Sequence, residues 1–296
     1  MEHKSAFIAV MGSPNVGKST LVNSIVGEKV AIVSDKAQTT RTRIAGVCST
    51  KDDQMVFLDT PGVQSPRNRL GEYMVKTAMR TLEDIDAALI VVDAVHGVGE
   101  RDEALVPKLL GSGAPVLAAV NKSDAAGADK VKAAVARLAE LGVEPDRIYV
   151  ISAKTGAGVP ELHAALRVYL KPAPRYYPDD EYTDQSMRAM AAEIIREKAL
   201  RLLREEVPHG VGVLIERMEP REDARIWDVE AVLLCERDGH KGIIIGRGGA
   251  MLKRIGMEAR KDLEEMVGDK VFLQLFVRVE ENWRDSVRVL KELGYQ

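Results

Sequence analysis

Cysteine is scarce in this chain of 296 residues, with only Cys48 and Cys235 present. Both lie in alternating apolar surroundings, so we expect reduced, buried thiols and neither a disulfide framework nor a zinc site. Long apolar runs are also missing, because residues 87–92 fall far short of the roughly 20 residues that a membrane-spanning helix needs. With no signal peptide apparent, we expect a cytoplasmic protein.

An excess of charge of one sign is missing as well, because the formal net charge is −3. A protein that is basic over its whole surface is therefore excluded, whereas a local basic patch is not. The five histidines form no cluster, and no Ser/His/Asp or Cys/His arrangement points to a second chemistry. The length and the hydrophobic content of 46% predict about two domains with sizeable cores.

Residues 7–21, FIAVMGSPNVGKSTL, carry the strongest local signal. An apolar run suited to a buried strand leads into Gly12. After four intervening residues come Gly17, Lys18 and Ser19, and then a helical pattern. Glycines here let backbone N–H groups close around phosphate oxygens, and the N-terminus of the helix favours the same anion. The pattern predicts a phosphate-binding loop in which Lys18 reaches the β- and γ-phosphates and Ser19 binds Mg²⁺.

Strand-like and helix-like segments alternate over the first half of the chain. Apolar runs at residues 54–58, 87–93, 115–120 and 147–151 are separated by segments with helical spacing, such as residues 128–141. Continuous apolar runs are typical of parallel strands that are covered on both faces. The sequence therefore predicts an α/β domain with a mostly parallel sheet, right-handed crossovers and helices on both faces.

Four polar motifs accompany these strands. The segment SDKAQTTRTR at residues 34–43 lacks an apolar face and is predicted to be an exposed loop. DTPG at residues 59–62, NKSD at 121–124 and SAK at 152–154 each come at the end of a strand. Open α/β sheets bind ligands at the carboxyl ends of their strands. We therefore expect all four motifs to meet the phosphate-binding loop at one rim of the sheet.

This order of motifs resembles that of the translation-factor-related class of P-loop GTPases. The resemblance implies that Asn121 and Asp124 select guanine, with the Asp124 carboxylate accepting hydrogen bonds from the ring N–H and the exocyclic amine, neither of which adenine offers. Residues 152–154 would support the base by backbone contact. The residues implied to bind GTP or GDP are Gly12, Ser13, Pro14, Asn15, Val16, Gly17, Lys18, Ser19, Thr20, Asp59, Thr60, Pro61, Gly62, Asn121, Lys122, Asp124, Ser152, Ala153 and Lys154.

The same resemblance implies a Mg²⁺ site and the groups that act in hydrolysis. Asp59 would hold Mg²⁺ through a water, and Ser19 and Thr40 would supply hydroxyls, Thr40 when the polar loop closes. The adjacent Thr39 remains an alternative to Thr40. The N–H of Gly62 would face the γ-phosphate. The expected catalytic residues are Lys18, Thr40, Gly62 and Asn15.

One position departs from the pattern of these GTPases. Many of them carry a glutamine directly after the DxxG glycine to orient the attacking water, but this chain has Val63, with Gln64 one residue late and facing the other way on an extended backbone. Fast intrinsic hydrolysis is therefore not expected. As in some related GTPases with this asparagine, we hypothesise that Asn15 helps to hold a K⁺ ion beside the phosphates. A role in loop geometry alone is the alternative for Asn15.

The composition changes near residue 171. The stretch KPAPRYYPDDE at residues 171–181 places three prolines around two tyrosines, which predicts a stiff linker at a domain boundary. We therefore predict a GTP-binding domain over residues 1–171, a linker over 172–182 and a second domain over 183–296.

The second domain is predicted in the order α-β-β-α-β-α. Its middle helix begins after GRGG at residues 246–249, and residues 241–261 hold six basic side chains and one acidic side chain. This arrangement resembles type 2 KH domains, whose GxxG loop clamps the backbone of single-stranded nucleic acid. Phe272 and Phe276 are assigned to a core strand, because no RNP-type pattern is present. The candidate RNA-binding residues are Gly246, Arg247, Gly248, Gly249, Lys253 and Arg254.

One GTPase domain followed by a KH type 2 domain resembles the Era family of bacterial GTPases over essentially the whole chain. The matching segments are GSPNVGKS, KAQTTRTR, DTPGV, NKSD, HGVGV and GIIIGRGG. The resemblance implies a GTPase that acts in assembly of the small (30S) ribosomal subunit and in processing of 16S rRNA, binding near the 3′ end of that RNA. It also implies some peripheral association with the inner membrane, and we expect a monomer.

The alternative is an RNA-binding module whose first domain binds nucleotide but hydrolyses it poorly. The complete set of motifs favours the GTPase, and RNA affinity that changes with nucleotide at fixed salt would separate the two. A tRNA-modifying or tandem-domain GTPase is disfavoured by the single GTP-binding domain and by the KH segment.

Overall fold

The computed structural model describes residues 3–36, 38–63, 65–222 and 225–295, and its chain divides into two compact units. The first unit comprises residues 1–33, 40–66 and 74–184, and the second comprises residues 34–39, 67–73 and 185–296. No helix in the described ranges is long and apolar enough to cross a membrane.

The first unit is built on one twisted sheet. Its elements are β1 (Lys4–Met11), α1 (Lys18–Val26), β2 (Ile44–Ser49), β3 (Asp53–Asp59), α2 (Arg69–Arg80, whose start lies in the second unit), β4 (Ala87–Asp93), α3 (Glu100–Leu110), β5 (Val116–Asn121), α4 (Ala128–Glu140), β6 (Ile148–Val150), α5 (Val159–Leu166) and β7 (Lys171–Pro172). The strand order is β2-β3-β1-β4-β5-β6, and β7 pairs with the start of β1. The pairs β3-β1, β1-β4, β4-β5 and β5-β6 are parallel, whereas β2 and β7 are antiparallel to their neighbours.

Apolar side chains cover both faces of this sheet. Every residue of β4 is buried, and its side chains divide between two apolar clusters. One cluster includes Leu21 of α1 and Leu162 of α5, and the other includes Leu105 of α3 and Leu138 of α4. The predicted fold of the first domain, a mostly parallel sheet with helices on both faces, is confirmed.

The polar motifs lie where the parallel strands end. β1 is followed by the phosphate-binding loop, β3 ends at Asp59, and β5 ends at Asn121, so these residues share one rim of the sheet. The described residues of the loop at 34–43, which exclude residue 37, have no regular structure, but the expectation that the loop is exposed is wrong at Thr40 and Arg41. These two side chains are buried, at 7% and 1% exposed.

Residues 171–184, predicted in large part as a linker, pack on the first unit. The fully buried Gln54 accepts hydrogen bonds from the N–H groups of Tyr176 and Tyr177, at 3.0 and 3.1 Å, and donates to the Tyr177 carbonyl at 3.0 Å. Farther on, the Asp184 carboxylate accepts from the N–H of Ala45 in β2 at 3.0 Å. The first unit consequently extends to Asp184.

The second unit packs helices against a three-stranded sheet with the strand order β10-β9-β8. Its elements are α6 (Met187–Leu202), β8 (Gly212–Pro220), β9 (Ile226–Cys235), α7 (Asp238–Ile245), α8 (Ala250–Val267), β10 (Lys270–Val279) and α9 (Val287–Glu292). Strand β9 is antiparallel to β8 and parallel to β10. Short 3₁₀ turns across the two units occupy Pro145–Arg147, Arg167–Tyr169, Pro208–Gly210, Arg247–Gly249 and Trp283–Asp285.

Two expectations for this unit are corrected. A separate helix, α7, precedes α8, so the order is α-β-β-α-α-β-α and not α-β-β-α-β-α. Phe272 and Phe276 are 49% and 50% exposed, so their assignment to the core was wrong. Val271, Leu273 and Leu275 of the same edge strand pack into the core. Successive side chains of a strand point to opposite faces of the sheet, so the two phenylalanines lie on the face opposite the core.

Candidate nucleotide site and nucleic-acid interface

The phosphate-binding loop is closed so tightly that two of its positions admit only glycine. At Gly12, with φ of 144°, an added Cβ would lie 2.3 Å from the carbonyl oxygen of Val91 in β4. At Gly17, with φ of 99°, it would lie 2.3 Å from Nδ2 of Asn121. The loop is therefore seated on the ends of β4 and β5, and side chains at these positions would force it open.

Lys18 lies inside this loop with its ammonium group directed at the loop backbone. Its side chain is 6% exposed, and Nζ donates to the carbonyl oxygens of Gly12 at 3.1 Å and Ser13 at 3.0 Å. Burial lowers the pKa of Lys18 to about 8, although the charges of Asp59 and Asp102 act in the opposite direction. A cation held in this position is suited to bind phosphate oxygens.

Three oxygen-bearing side chains converge beside the loop. The fully buried Asp59 accepts hydrogen bonds at Oδ2 from Ser19 Oγ, at 2.6 Å, and from Thr40 Oγ1, at 3.3 Å. The two hydroxyl oxygens are 2.9 Å apart. The neighbouring Thr39 hydroxyl instead donates to the Lys36 carbonyl at 2.6 Å.

The Asp59 carboxylate retains a free acceptor, which fits a cation. Its Oδ1 is buried and has no hydrogen-bond partner among the described residues. Burial raises the pKa of Asp59, while the charge of Lys18 and the hydrogen bond from Ser19 oppose the rise. In the described ranges, no three His, Cys, Asp or Glu side chains come together as a metal cluster. Carboxylate and hydroxyl oxygens supplemented by nucleotide phosphates are the donor set that Mg²⁺ prefers.

The DTPG segment rests directly on the phosphate-binding loop. A Cβ at Gly62 would lie 2.8 Å from both Cα and N of Pro14, and the N–H of Val63 donates to the carbonyl of Gly12 at 3.4 Å. The Thr60 hydroxyl donates to the Val10 carbonyl at 2.8 Å. Gln64 falls outside the described residues, so its predicted direction stays a prediction.

Asn121 connects three of the predicted motifs. Its side chain is 2% exposed; Nδ2 donates to the Val16 carbonyl at 2.8 Å, and Oδ1 accepts from the N–H of Ala153 at 2.9 Å. At the exposed end of the same motif, Asp124 accepts a 2.6 Å hydrogen bond from the Ser152 hydroxyl. The phosphate-binding loop, NKSD and SAK are therefore joined, and the Asp124 carboxylate is held in one orientation.

Asp93 is a site residue that sequence reasoning missed. Lys122 Nζ donates to the carbonyl of Asn15 at 2.6 Å and to Asp93 Oδ2 at 2.7 Å, and Asn15 itself has a positive φ of 64°. Burial alone would raise the pKa of Asp93, but hydrogen bonds from Lys122 and His96 outweigh it and hold that pKa below its ordinary value. Asp93 thus stays ionised and fixes the lysine that supports Asn15.

In the second unit, the GxxG segment forms a tight turn between α7 and α8. Gly246, Gly248 and Gly249 have φ values of 72°, 60° and 79°, and a Cβ at Gly246 would lie 2.8 Å from the Cβ of Met251. No atom of the described residues lies within 4 Å of a Cβ built on Gly248, so a ligand backbone can approach there. Gly249 is the N-cap of α8, and the positive end of the helix dipole at this N-terminus favours phosphate.

A groove of about 430 Å³ runs between α8 and the edge strand β10. Of the predicted RNA-binding residues, Gly249 and Lys253 line it, whereas Arg254 pairs with Glu258 at 3.2 Å. Sequence reasoning missed Arg260, which the basic content of residues 241–261 could have indicated. The complete lining is Gly249, Leu252, Lys253, Gly256, Met257, Arg260, Val271, Phe272, Leu273 and Leu275.

Two family models match this chain, one in each unit. The model described as "50S ribosome-binding GTPase" matches residues 7–122, and the model described as "KH domain" matches residues 206–284. The first match includes the phosphate-binding loop and DTPG and ends before Asp124, and the second includes the GxxG segment with α8 and its sheet.

Curated relatives match the chain over its full length. A protein named "GTPase Era" from Alkaliphilus metalliredigens is 45% identical over 100% of both chains, and another from Caldicellulosiruptor saccharolyticus is 47% identical over 100% of this chain and 98% of the relative. An Aquifex aeolicus Era variant bound to GDP and AlF₄⁻ matches with a TM-score of 0.94 and 38% identity, with 99% of each chain covered. The same values hold for Era in complex with MgGDPNP and nucleotides 1506–1542 of 16S ribosomal RNA.

Proposed function

The chain belongs to the Era family of GTPases, and from this premise we propose that its GTP hydrolysis controls how the second unit binds single-stranded ribosomal RNA. The partner we propose is the 3′ region of 16S rRNA, within assembly of the small ribosomal subunit. A relative of known structure holds nucleotides 1506–1542 of 16S rRNA, which supports this choice. Membrane association and a monomeric state remain predictions.

The observation that carries the nucleotide part is the convergence of Ser19, Thr40 and Asp59 beside the phosphate-binding loop. We propose that these three side chains hold Mg²⁺, Asp59 through a water, and that Thr40 has this role rather than Thr39. The relative complexed with MgGDPNP supports the choice of metal. When bound, Mg²⁺ supplies positive charge that offsets the charge on the β- and γ-phosphate oxygens.

The remaining nucleotide-binding residues act by position and charge. Lys18 neutralises the phosphates from inside the loop, and the N–H of Gly62, which lies against Pro14, meets the γ-phosphate. Asp124, oriented by Ser152, accepts two hydrogen bonds from guanine. A K⁺ ion held in part by Asn15 would offset charge that develops in the transition state.

For the RNA, we propose that the strand backbone crosses Gly248 and that its bases enter the groove lined by Lys253 and Arg260. The open space at Gly248, the N-terminus of α8 and these two cations support this path. Phosphates are attracted to cations and to the positive end of a helix dipole, and glycine lets the strand come close.

A matched pair of glycine substitutions tests the RNA path. Gly248→Asp adds a side chain and a negative charge where the RNA strand would cross. Gly268→Asp adds the same group at the other end of α8, a helix of 18 residues that is about 27 Å long. Both glycines have positive φ, 60° and 73°, and in the part of the chain that the structure describes no atom lies within 4 Å of a Cβ added at either. The backbone strain that the two substitutions introduce is therefore comparable.

The measurement is fluorescence anisotropy with a single-stranded fragment of the 3′ end of 16S rRNA at fixed salt, with GTP and with GDP. We expect Gly248→Asp to lose RNA affinity and to keep GTP affinity, and Gly268→Asp to keep both. Equal RNA binding by the two folded variants would show that the RNA surface lies elsewhere. If the unchanged chain binds RNA equally well with GTP and with GDP, the alternative of an RNA-binding module that hydrolyses GTP poorly is favoured. The presence of Val63 in the water-orienting position supports that alternative.

A further inference from the structure

A buried carboxylate outside the nucleotide-binding motifs reaches the phosphate-binding loop. Asp102 lies in the first turn of α3 and is 4% exposed. Its Oδ1 accepts hydrogen bonds from the Ser13 hydroxyl at 2.6 Å and from the Ser13 N–H at 3.2 Å. Its Oδ2 accepts from the N–H of Gly99 at 3.3 Å. One side chain therefore joins the start of α3 to the first turn of the loop.

The part of the loop that Asp102 holds is the part in contact with DTPG. Pro14, which follows Ser13, lies so close to Gly62 that an added Cβ there would come within 2.8 Å of its backbone. The carbonyl of Gly12 accepts from the N–H of Val63, and the carbonyls of Gly12 and Ser13 accept from Lys18. A shift of residues 12–14 would therefore displace both Gly62 and the ammonium group of Lys18.

We infer that Asp102 is a positioning residue for GTP hydrolysis, which fixes residues 12–14 so that Gly62 and Lys18 meet the γ-phosphate in the reacting geometry. This inference rests on the nucleotide site proposed above. Reaction rates depend steeply on small displacements of the groups that contact the reacting atoms. GDP lacks the γ-phosphate, so its binding does not use the contact at Gly62 and keeps only the contact of Lys18 with the β-phosphate. We therefore expect GDP affinity to depend less on the Asp102 bonds than the hydrolysis rate does.

The competing explanation is that Asp102 only caps α3 through the N–H of Gly99. Acidic residues are common in the first turn of helices, and Glu100 and Glu103 share this turn. Glu103 provides a matched control, because its carboxylate pairs with Arg137 of α4 at 2.8 Å. Ser13→Ala separates the two explanations, because it removes the hydroxyl donor and leaves the bond between Asp102 and Gly99 in place.

The experiment compares Asp102→Asn, Ser13→Ala, the double variant and Glu103→Gln in the full chain. Single-turnover GTP hydrolysis with protein in excess gives the rate constant of the bound nucleotide, and titration with GDP gives its Kd. We expect Asp102→Asn to lower the rate constant about tenfold and to change the GDP Kd less than about threefold. Ser13→Ala should give a smaller loss of rate, and the double variant should be no slower than Asp102→Asn. Glu103→Gln should change neither quantity.

Three results would overturn the inference: a rate for Asp102→Asn equal to that of Glu103→Gln, losses for Ser13→Ala and Asp102→Asn that multiply in the double variant, or a GDP Kd that worsens as much as the rate. The first would leave Asp102 as a helix cap, the second would make it independent of Ser13, and the third would make it a general support of the fold. Failure of the unchanged chain to bind GDP would instead refute the proposed nucleotide site.

Discussion

The protonation of Lys18 gives a quantitative prediction for nucleotide binding. In the nucleotide-free protein, burial lowers the pKa of Lys18 to about 8, with the charges of Asp59 and Asp102 opposing the change. Phosphate oxygens placed beside the ammonium group favour its charged form and raise this pKa again. Around and above pH 8, binding of GDP should therefore be accompanied by proton uptake.

The size of the effect follows from that pKa. The neutral fraction of Lys18 is about 0.1 at pH 7, about 0.5 at pH 8 and about 0.9 at pH 9. Each GDP that binds should take up that fraction of a proton, because Lys18 is charged in the complex. Because Lys18 loses its proton at lower pH in the free protein than in the complex, the affinity for GDP falls as the pH rises through 8. It should be about tenfold weaker at pH 9 than at pH 7.

Isothermal titration calorimetry of GDP binding, in buffers with different ionisation enthalpies, measures this proton uptake directly. The terminal phosphate, with a pKa near 6, is ionised at pH 8 and 9 and adds little there. The pH 7 series serves as the internal control. Proton uptake that stays near zero from pH 7 to pH 9 would refute the reasoning, since Lys18 would then be fully charged in the empty loop.

Three further substitutions or conditions test separate parts of the site. Asp124→Asn should shift the preference from guanine to xanthine nucleotides, because it replaces an acceptor that contributes about 1.5–3 kcal/mol per charge-assisted hydrogen bond; unchanged GTP affinity by direct titration would contradict the assignment. Hydrolysis should be faster in K⁺ than in Na⁺ at matched ionic strength if Asn15 helps to hold the ion, and equal rates would leave Asn15 a geometric role. Lys253→Ala should weaken RNA binding mildly and lower the salt dependence by about one unit of slope, and an unchanged slope would remove Lys253 from the phosphate contacts.

The convergence of the predicted nucleotide-binding residues could be anticipated because they occur in short motifs with fixed spacing. Gly12, Lys18 and Ser19 follow one strand, Asp59 ends another, and Asn121 ends a third, so parallel pairing alone brings them together. Asp93 and Asp102 could not be found in this way. Each acts on a residue distant in sequence, Lys122 or Ser13, and an acidic residue in the first turn of a helix is too common to be informative.

The second unit shows a different limit of sequence reasoning. The strand at residues 270–279 has apolar side chains on both faces, so its pattern did not reveal which face was covered, and Phe272 and Phe276 were placed on the wrong side. Residues 172–182 were predicted from composition to be a linker, but Tyr176 and Tyr177 are held by hydrogen bonds to Gln54 of β3, more than a hundred residues earlier in the chain. Contacts of this range leave no local signal.

The bonds of Asn121 affect how loss-of-function alleles in this family should be interpreted. Its amide nitrogen and oxygen both bond to the protein itself, at Val16 and Ala153. An allele at Asn121 therefore damages the assembly of the phosphate-binding loop, and supplying a nucleotide with an altered base should not suppress it. An Asp124→Asn allele leaves that assembly intact, so a xanthine nucleotide should suppress its defect. The first and last residues of the NKSD motif should therefore give two kinds of allele, one suppressed by a xanthine nucleotide and one not, and suppression experiments can distinguish them without a new structure.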